Sequence, residues 1–427
     1  MNKLGVVIIG INGAVASTLI AGVELMVRGL TPRIGMVTEK GTTQQEAADS
    51  IASLLDLAPL EDLVFAGWDV RFDNVYEGAL QHKVFSREIL APIQKELEAI
   101  RSWPAAFSKP YAENVLGDHT LHGGSFRDEI RTIVRNIEDF RRTRELDRVV
   151  MVNLASTESF LDLSPAHASL EAFEEAIDRG DPSVTPAMRY FYAANQLGIP
   201  YCNFTPSLTH VPALAEQAKR TKTPFAGMDG KTGQTLLKTA LASMFRLRRI
   251  HIEGWYSTNF LGNNDGLILD SPGSNKTKVL SKSGALDSIV GYHVENHQVH
   301  IHYYKPRGDA KEAWDNIDLV GFAGIPMQMK INFLCQDSAL AAPIVIDLVR
   351  LLDVAKRSGE SGIQRQLSLF FKSPHHSDGE VPVHDLFKQE QMLLQWARDT
   401  STRVRANGHK PAHAFGANGS RALETER

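Results

Sequence analysis

At 427 residues the chain exceeds the size at which one hydrophobic core stops growing, so two domains are expected; 43% hydrophobic and 22% charged residues are ordinary for a globular protein. A formal net charge of −4, with no long run of like charges, argues against nucleic acid as a partner. The cysteines, Cys202 and Cys335, each beside apolar or aromatic neighbours, read as buried reduced thiols of a cytoplasmic protein rather than a disulfide framework.

The N-terminal run Leu4-Gly-Val-Val-Ile-Ile9 reads as a buried strand, Gly10-Ile-Asn-Gly13-Ala-Val-Ala16 as a tight turn, and Leu19 to about Arg28 as a helix. Strand, glycine turn and helix in that order open a dinucleotide-binding βαβ unit, because glycines permit the turn and the helix N-terminus can hold a pyrophosphate. Asn12 stands where the usual fingerprint has its middle glycine, which hinders the closest approach of backbone to phosphate. Leu4 to Val27 is largely apolar, but Gly10 to Gly13 interrupts it and Glu24 lies near its end, so no membrane role is expected. Spacing does not fix an acidic partner for the ribose: Glu39 lies somewhat late and Asp69 much later. Asp69 is preferred, because it ends a strand at the sheet edge where such ligands lie.

Further β-branched runs follow at Asp62-Leu-Val-Phe65 and Arg148-Val-Val-Met-Val152, each leading into a polar turn. Their alternation with helical segments predicts a doubly wound parallel sheet of the α/β class. Ala226-Gly-Met-Asp229-Gly-Lys-Thr-Gly233-Gln-Thr235 then precedes the helical run Leu236 to Phe245. This helix start is a second possible anion site, since unsatisfied N–H groups and the helix dipole favour phosphate there. It resembles a P-loop only superficially, with Phe225 where a glycine is needed, and on its own such a string is more often an ordinary capped helix.

From about Arg249 to Ile331 the pattern changes to alternating runs, such as Val299-His-Ile-His-Tyr-Tyr304 and Met327-Gln-Met-Lys-Ile-Asn-Phe333, which predict a mostly antiparallel sheet in a second domain. Ser338 to Lys356 reads as a long helix that returns the chain to the first domain, and the polar stretch from about Ala406 as a mobile tail. Within this region His293, His297, His300 and His302 have no matching Cys or carboxylate constellation, so a solvent-facing strand is preferred to a metal site, and His375-His376 reads as a turn.

The strongest chemical signal is a set of lysines among polar turns: Lys278, Lys282, Lys311 and Lys372. Converging in one cleft they would bind phosphate, stabilise an enolate or alkoxide and depress one another's pKa. Spacing alone leaves open whether they converge or are solvated surface residues.

Seven dispersed segments carry a resemblance that spans nearly the whole chain: Gly67-Trp-Asp69, Ala155-Ser-Thr-Glu158, Gly227-Met-Asp-Gly-Lys-Thr-Gly-Gln-Thr235, Leu261-Gly-Asn-Asn-Asp-Gly266, Lys278-Val-Leu-Ser-Lys282, Gly308-Asp-Ala-Lys311 and Gln336-Asp-Ser-Ala-Leu-Ala-Ala-Pro343. In this order they resemble the myo-inositol-1-phosphate synthase family, in its shorter prokaryotic branch. The resemblance implies that Lys278, Lys282, Lys311 and Lys372, with Asp229 near the nicotinamide, are the catalytic and phosphate-binding set. It implies that Gly10, Ile11, Asn12, Gly13, Ala14, Val15, Asp69, Ala155, Ser156 and Thr157 surround NAD. Thr232, Gly233, Gln234, Thr235, Asn263, Asn264 and Asp265 would line the sugar-phosphate pocket.

The implied architecture is a Rossmann-like domain split between residues 1–235 and 341–427, with a catalytic and oligomerising domain, 236–340, inserted. The implied reaction converts D-glucose 6-phosphate into 1D-myo-inositol 3-phosphate through C5 oxidation, enolisation, aldol closure and C5 reduction, in a cytoplasmic homotetramer. An activating monovalent or divalent cation is a further expectation; no metal ligands are assigned. The chain departs from eukaryotic members in Asn12-Gly-Ala-Val-Ala16, and in Ser156 and Phe204, where Asn and Gly are more typical, so some contacts to NAD must differ. A net dehydrogenase, a non-catalytic NAD-binding relative and a cyclase of another sugar phosphate remain as alternatives.

Overall fold

The computed structural model describes residues 3–40, 50–262, 285–377 and 379–406. Its first strand, β1 (Leu4–Ile9), is buried at every position, which is why the sequence there is a continuous apolar run rather than an alternating one. Six more strands join it: β2 (Leu63–Asp69), β3 (Trp103–Pro104), β4 (Arg148–Asn153), β5 (Tyr201–Asn203), β6 (Pro224–Gly227) and β11 (Gly362–Ile363). Every pairing is parallel and the order is β11-β6-β5-β4-β1-β2-β3, the doubly wound arrangement in which the strand order reverses between β1 and β4.

Both faces of this sheet are covered. Helices α1 (Ala14–Val27) and α2 (Val75–His82) bury Leu19, Ile20, Val23, Val75 and Ala79 in the core of one face. The opposite core is built by α3 (Phe126–Arg144), α4 (Leu170–Arg179), α5 (Pro186–Leu197) and α6 (Pro212–Arg220). The first turns of α2 and α3 are closed by capping boxes from Asn74 and Ser125, which satisfy backbone N–H groups that have no partner within the helix.

After β6 the chain enters α7 (Gly233–Leu247) and a second sheet, made of β7 (His251–Leu261), β8 (Asn296–Tyr303), β9 (Ala310–Val320) and β10 (Pro326–Gln336) in the order β10-β9-β7-β8. The pairs β10–β9 and β7–β9 are antiparallel as expected, whereas β7 and β8 run parallel. Two strands can run the same way only across a long connection, and the one between them carries helix α8 (Ala285–Val290). One face of this sheet packs on α7 and α8 through Ala242, Phe245, Trp255, Leu286 and Ile317. Helix α9 (Asp337–Arg357) then returns to the first sheet, packing Val345, Ile346, Val349 and Leu352 into the core that α1 occupies, and α10 (Leu386–Ala406) adds Leu393 and Ala397.

Candidate active site

The loops that follow β1, β2, β4, β5 and β6 all open at the carboxyl ends of the parallel strands, around the β1/β4 reversal, and together line a cavity of about 440 Å³. Gly10 leaves β1 at φ +84°, and a Cβ there would lie 3.0 Å from Ala155 Cα, so the turn passes too close to the β4 loop for a side chain. The N–H groups of Gly10 and Ile11 both reach the Trp68 carbonyl, at 2.8 and 3.1 Å. Helix α1 follows Gly13, which offers no side-chain cap, and has no acidic residue in its first turn, which leaves its positive end to an anion.

Asn12 is buried at the turn. Its side chain turns into the protein, where Nδ2 donates to the Asp73 carbonyl at 3.1 Å, and its backbone N–H donates to Oδ2 of Asp69 at 2.9 Å. Oδ1 of Asp69 accepts the Arg71 N–H at 3.1 Å. Burial pushes the Asp69 carboxyl above its ordinary pKa, and these two N–H groups oppose the shift. The carboxylate therefore braces the glycine turn and at the same time lines the cavity. A positive-φ glycine, an uncapped helix start and an acid at the end of β2 fit the pyrophosphate and ribose of NAD.

On the β4 side, Ala155, Ser156 and Thr157 line the cavity, with the Ala155 N–H held 3.1 Å from Oδ1 of Asn153. Glu158 closes this turn: its N–H donates to Ser207 Oγ at 3.1 Å and its Oε1 accepts the Ala187 N–H at the start of α5, at 2.9 Å. Burial raises the Glu158 pKa.

At the end of β6 the chain segment that carries Asp229 is clamped from both sides. The Asp229 N–H donates to the Thr205 carbonyl, the Met228 N–H to Ser373 and the Lys372 N–H to the Asp229 carbonyl, at 3.1, 2.8 and 2.7 Å. The same clamp puts Lys372 Nζ 2.8 Å from Asp229 Oδ1, with the two side chains only 4% and 2% exposed. A Cβ on Gly230 would fall 2.0 Å from the Phe204 ring and displace it; Phe204, one of the departures from the family pattern, is packed directly on this turn.

Lys311 reaches the cavity from β9 and pairs with Asp337, at 3.2 Å. Asp337 opens α9, and Asp309 fixes that start by accepting from the N–H and Oγ of Ser338, at 3.1 and 2.7 Å. Thr232, the residue before α7, donates from Oγ1 to Asp337 at 3.3 Å. Thus Lys311, Asp337 and Thr232 meet Asp229 and Lys372 in the same cavity. Lys311 and Lys372 are both buried, not solvated surface residues.

Ile11 is fully buried in the core beneath the turn. Gly233, at φ +49°, starts α7; the Gln234 side chain points to the second sheet, where Nε2 donates to Asp315 at 2.9 Å; and Thr235 is buried. Lys278, Lys282, Asn263, Asn264 and Asp265 lie outside the described residues, as does the tail beyond Ala406. The histidines of β8 divide: His297 faces inward, with Nε2 2.7 Å from Lys238 Nζ, while His300 and His302 stack on the outer face. Among the described residues no group of three or more His, Cys, Asp or Glu side chains could hold a metal ion, and no helix is long and apolar enough to cross a membrane.

A sequence model of the myo-inositol-1-phosphate synthase family matches residues 4–398. The chain belongs to that family. Inositol-3-phosphate synthase 1 of Bacteroides thetaiotaomicron is 42% identical over 408 residues, 93% of this chain and 95% of the relative. Isozyme 1 of Arabidopsis thaliana is 28% identical over 430 residues, 92% of this chain and 84% of the relative. The crystal structure of inositol-3-phosphate synthase from Caenorhabditis elegans superposes with a TM-score of 0.87 at 25% identity, covering 96% of this chain and 90% of that one.

Asp337 and Glu158 were not among the site residues expected in this family member. Both lie inside segments that carry the family resemblance, but an acid in such a segment gives no sign of its partner: the lysine that Asp337 meets is 26 residues away on the neighbouring strand.

Proposed function

We infer that the chain catalyses the NAD-dependent isomerisation of D-glucose 6-phosphate to 1D-myo-inositol 3-phosphate. The observation that carries this reading is the meeting, in one cavity, of a dinucleotide-type glycine turn with two lysine–carboxylate pairs whose lysines are buried, Lys372–Asp229 and Lys311–Asp337. A simple binding protein has no need of buried ammonium groups beside a nicotinamide site, whereas a reaction that develops charge on sugar oxygens does.

In this reading the chemistry that bound NAD would supply is removal of a hydride from C5 of the open-chain sugar phosphate and its return to the same carbon after ring closure, so the reaction has no net redox change. The chain holds the cofactor with the Gly10 to Val15 turn, Asp69 and Ala155 to Thr157. Lys372 and Asp229, paired at the end of β6, take up the O5 proton as C5 is oxidised and return it as C5 is reduced; in between, the pair stabilises the enolate formed when C6 loses the proton that the C1 oxygen later receives. The C6–C1 bond then forms, and the oxygen on C1 takes up a proton. Lys311, oriented by Asp337, and the start of α7 at Thr232 and Gly233 hold phosphate and developing negative charge. Lys278 and Lys282, with Asn263 to Asp265, complete the set by family resemblance. Residues 236–340 serve catalysis and assembly of a homotetramer, residues 1–235 and 341–427 hold NAD, and the enzyme works in the cytoplasm.

Phosphorus NMR of the products formed from glucose 6-phosphate with NAD tests the assignment. Appearance of an inositol monophosphate supports it; a phosphorylated lactone or ketose in its place sinks it.

A further inference from the structure

Helix α7 carries the proposed phosphate-binding start, yet what fixes it against the lysine strand is not a member of the cavity. Gln234, in the first turn of α7, sends its side chain away from the cavity into the interface with the second sheet. There Asp315 of β9, itself only 4% exposed, accepts three hydrogen bonds. Its Oδ1 takes Trp255 Nε1 and Ser257 Oγ, both from β7 and both at 2.7 Å, and its Oδ2 takes Gln234 Nε2 at 2.9 Å. The Gln234 Oε1 is occupied in turn by Asn259 Nδ2 of β7.

Lys311 and Asp315 lie four residues apart on β9, so their side chains share the face turned to α7, about 13 Å apart along the strand. The start of α7 is therefore attached to this part of the fold twice. Gln234 binds Asp315, and Thr232 binds Asp337, the partner of Lys311. One turn further along α7, Lys238 Nζ meets His297 Nε2 at 2.7 Å and lies over the Trp255 ring, so the same helix face is held to the sheet again. Burial lowers the Lys238 pKa to about 8, and the nearby Asp315 carboxylate opposes that shift.

We propose that Asp315 is a positioning residue for substrate phosphate: by binding Gln234 it sets the first turn of α7 at the distance from Lys311 at which both contact one anion. The inference rests on the assignment of that helix start to phosphate. It gives the Gln234 side chain the role of a brace, not of a ligand. A buried carboxylate is tolerated at such a place because its three donors satisfy it, and they fix its position between two strands and a helix.

The test uses Asp315→Asn, Gln234→Leu and the double variant, each checked for folding by thermal unfolding. In Asp315→Asn the amide oxygen can keep Trp255 and Ser257, but its NH2 group faces the Gln234 NH2 group, and Gln234 can turn its own amide only by giving up Asn259. KM for glucose 6-phosphate should rise about tenfold or more in either single variant, as expected when one hydrogen bond to a charged acceptor is lost, while the Kd for NAD stays within about twofold. The double variant should be no worse than Gln234→Leu alone, because the Gln234–Asp315 bond is already lost in that variant. Additive losses, an equal loss of NAD affinity, or an unchanged KM in folded variants would overturn the proposal. If Asp315→Asn does not fold, Gln234→Leu alone decides through the same split between KM and NAD affinity. Failure of the functional reading is separate, since the unaltered enzyme would then form no inositol phosphate.

Discussion

Lys372 Nζ lies 2.8 Å from Asp229 Oδ1, although 143 residues separate them in the chain. Lys372 also donates its backbone N–H to the Asp229 carbonyl, so the pair is held by main chain and side chain together. Because both charges are removed from water, removing one leaves the other uncompensated. Lys372→Ala should lower turnover by about 100-fold or more, the cost of one preorganised donor. It should also destabilise the fold by about 3 kcal/mol or more, which a solvated lysine would not do. Urea unfolding should show the double change Lys372→Met with Asp229→Asn to be less destabilised than Lys372→Ala alone.

Asp69 supplies a second prediction. Its carboxylate joins the Asn12 N–H to the Arg71 N–H and thereby sets the glycine turn. Asp69→Ala should weaken NAD binding strongly, with a smaller effect on glucose 6-phosphate, and cost about 1–3 kcal/mol of stability because buried N–H groups lose their acceptor. Calorimetric titration with each ligand separates the two effects, and an unchanged NAD affinity would mean that the turn does not need this brace.

Gly10→Ala tests the turn itself. With φ at +84° and the Ala155 backbone 3.0 Å from the added Cβ, the substitution strains the chain and moves the β4 loop. The expected outcome is a folded protein with NAD affinity reduced by about 10-fold or more, as for a cost of some 1–3 kcal/mol. Normal affinity would remove this turn from the cofactor site.

Histidines set the expected response to acid. Burial lowers the pKa of His297 and of His384 to about 4, with Lys238 and Lys231 respectively adding to the shift, and burial holds His375 well below 6.5. A group whose folded pKa lies below its unfolded value binds fewer protons when folded, so its contribution is full above the unfolded pKa and is lost as pH falls. Here the loss runs from about pH 6.5 towards about 4. Asp347 acts in the opposite sense: burial raises its pKa to about 6, so between about 3.8 and 6 its protonation favours the folded state and offsets part of the loss. Urea midpoints measured across this range should fall with acid, and His384→Gln should flatten the slope. A flat profile in the unaltered protein would contradict these burials.

Much of the fold was written in the sequence where a local rule sufficed. β1 is buried on both faces and so reads as an unbroken apolar run, and the glycine turn marks its end. Helix starts were less legible. α1 begins at Ala14 and α7 at Gly233, each ahead of the first periodic apolar residues at Leu19 and Leu236, because both helices grow directly out of turns that other loops hold. The direction of β8 was hidden for a different reason: alternation is the same in parallel and antiparallel strands, and only the long connection distinguishes them. Within the site, residue types gave the lysines but not their burial, since Asp229 and Asp337 meet them through tertiary contacts. The direction of Asn12 was likewise illegible, because its partners, the Asp69 side chain and the Asp73 carbonyl, lie about sixty residues on.

In the proposed cycle the hydride taken from the sugar returns to it. Purified enzyme with excess glucose 6-phosphate and NAD equal only to the enzyme should form many equivalents of inositol phosphate per NAD, with no steady growth of the NADH absorbance band. Accumulation of one NADH for each sugar phosphate consumed, with no inositol phosphate, would contradict the account and make the chain a dehydrogenase.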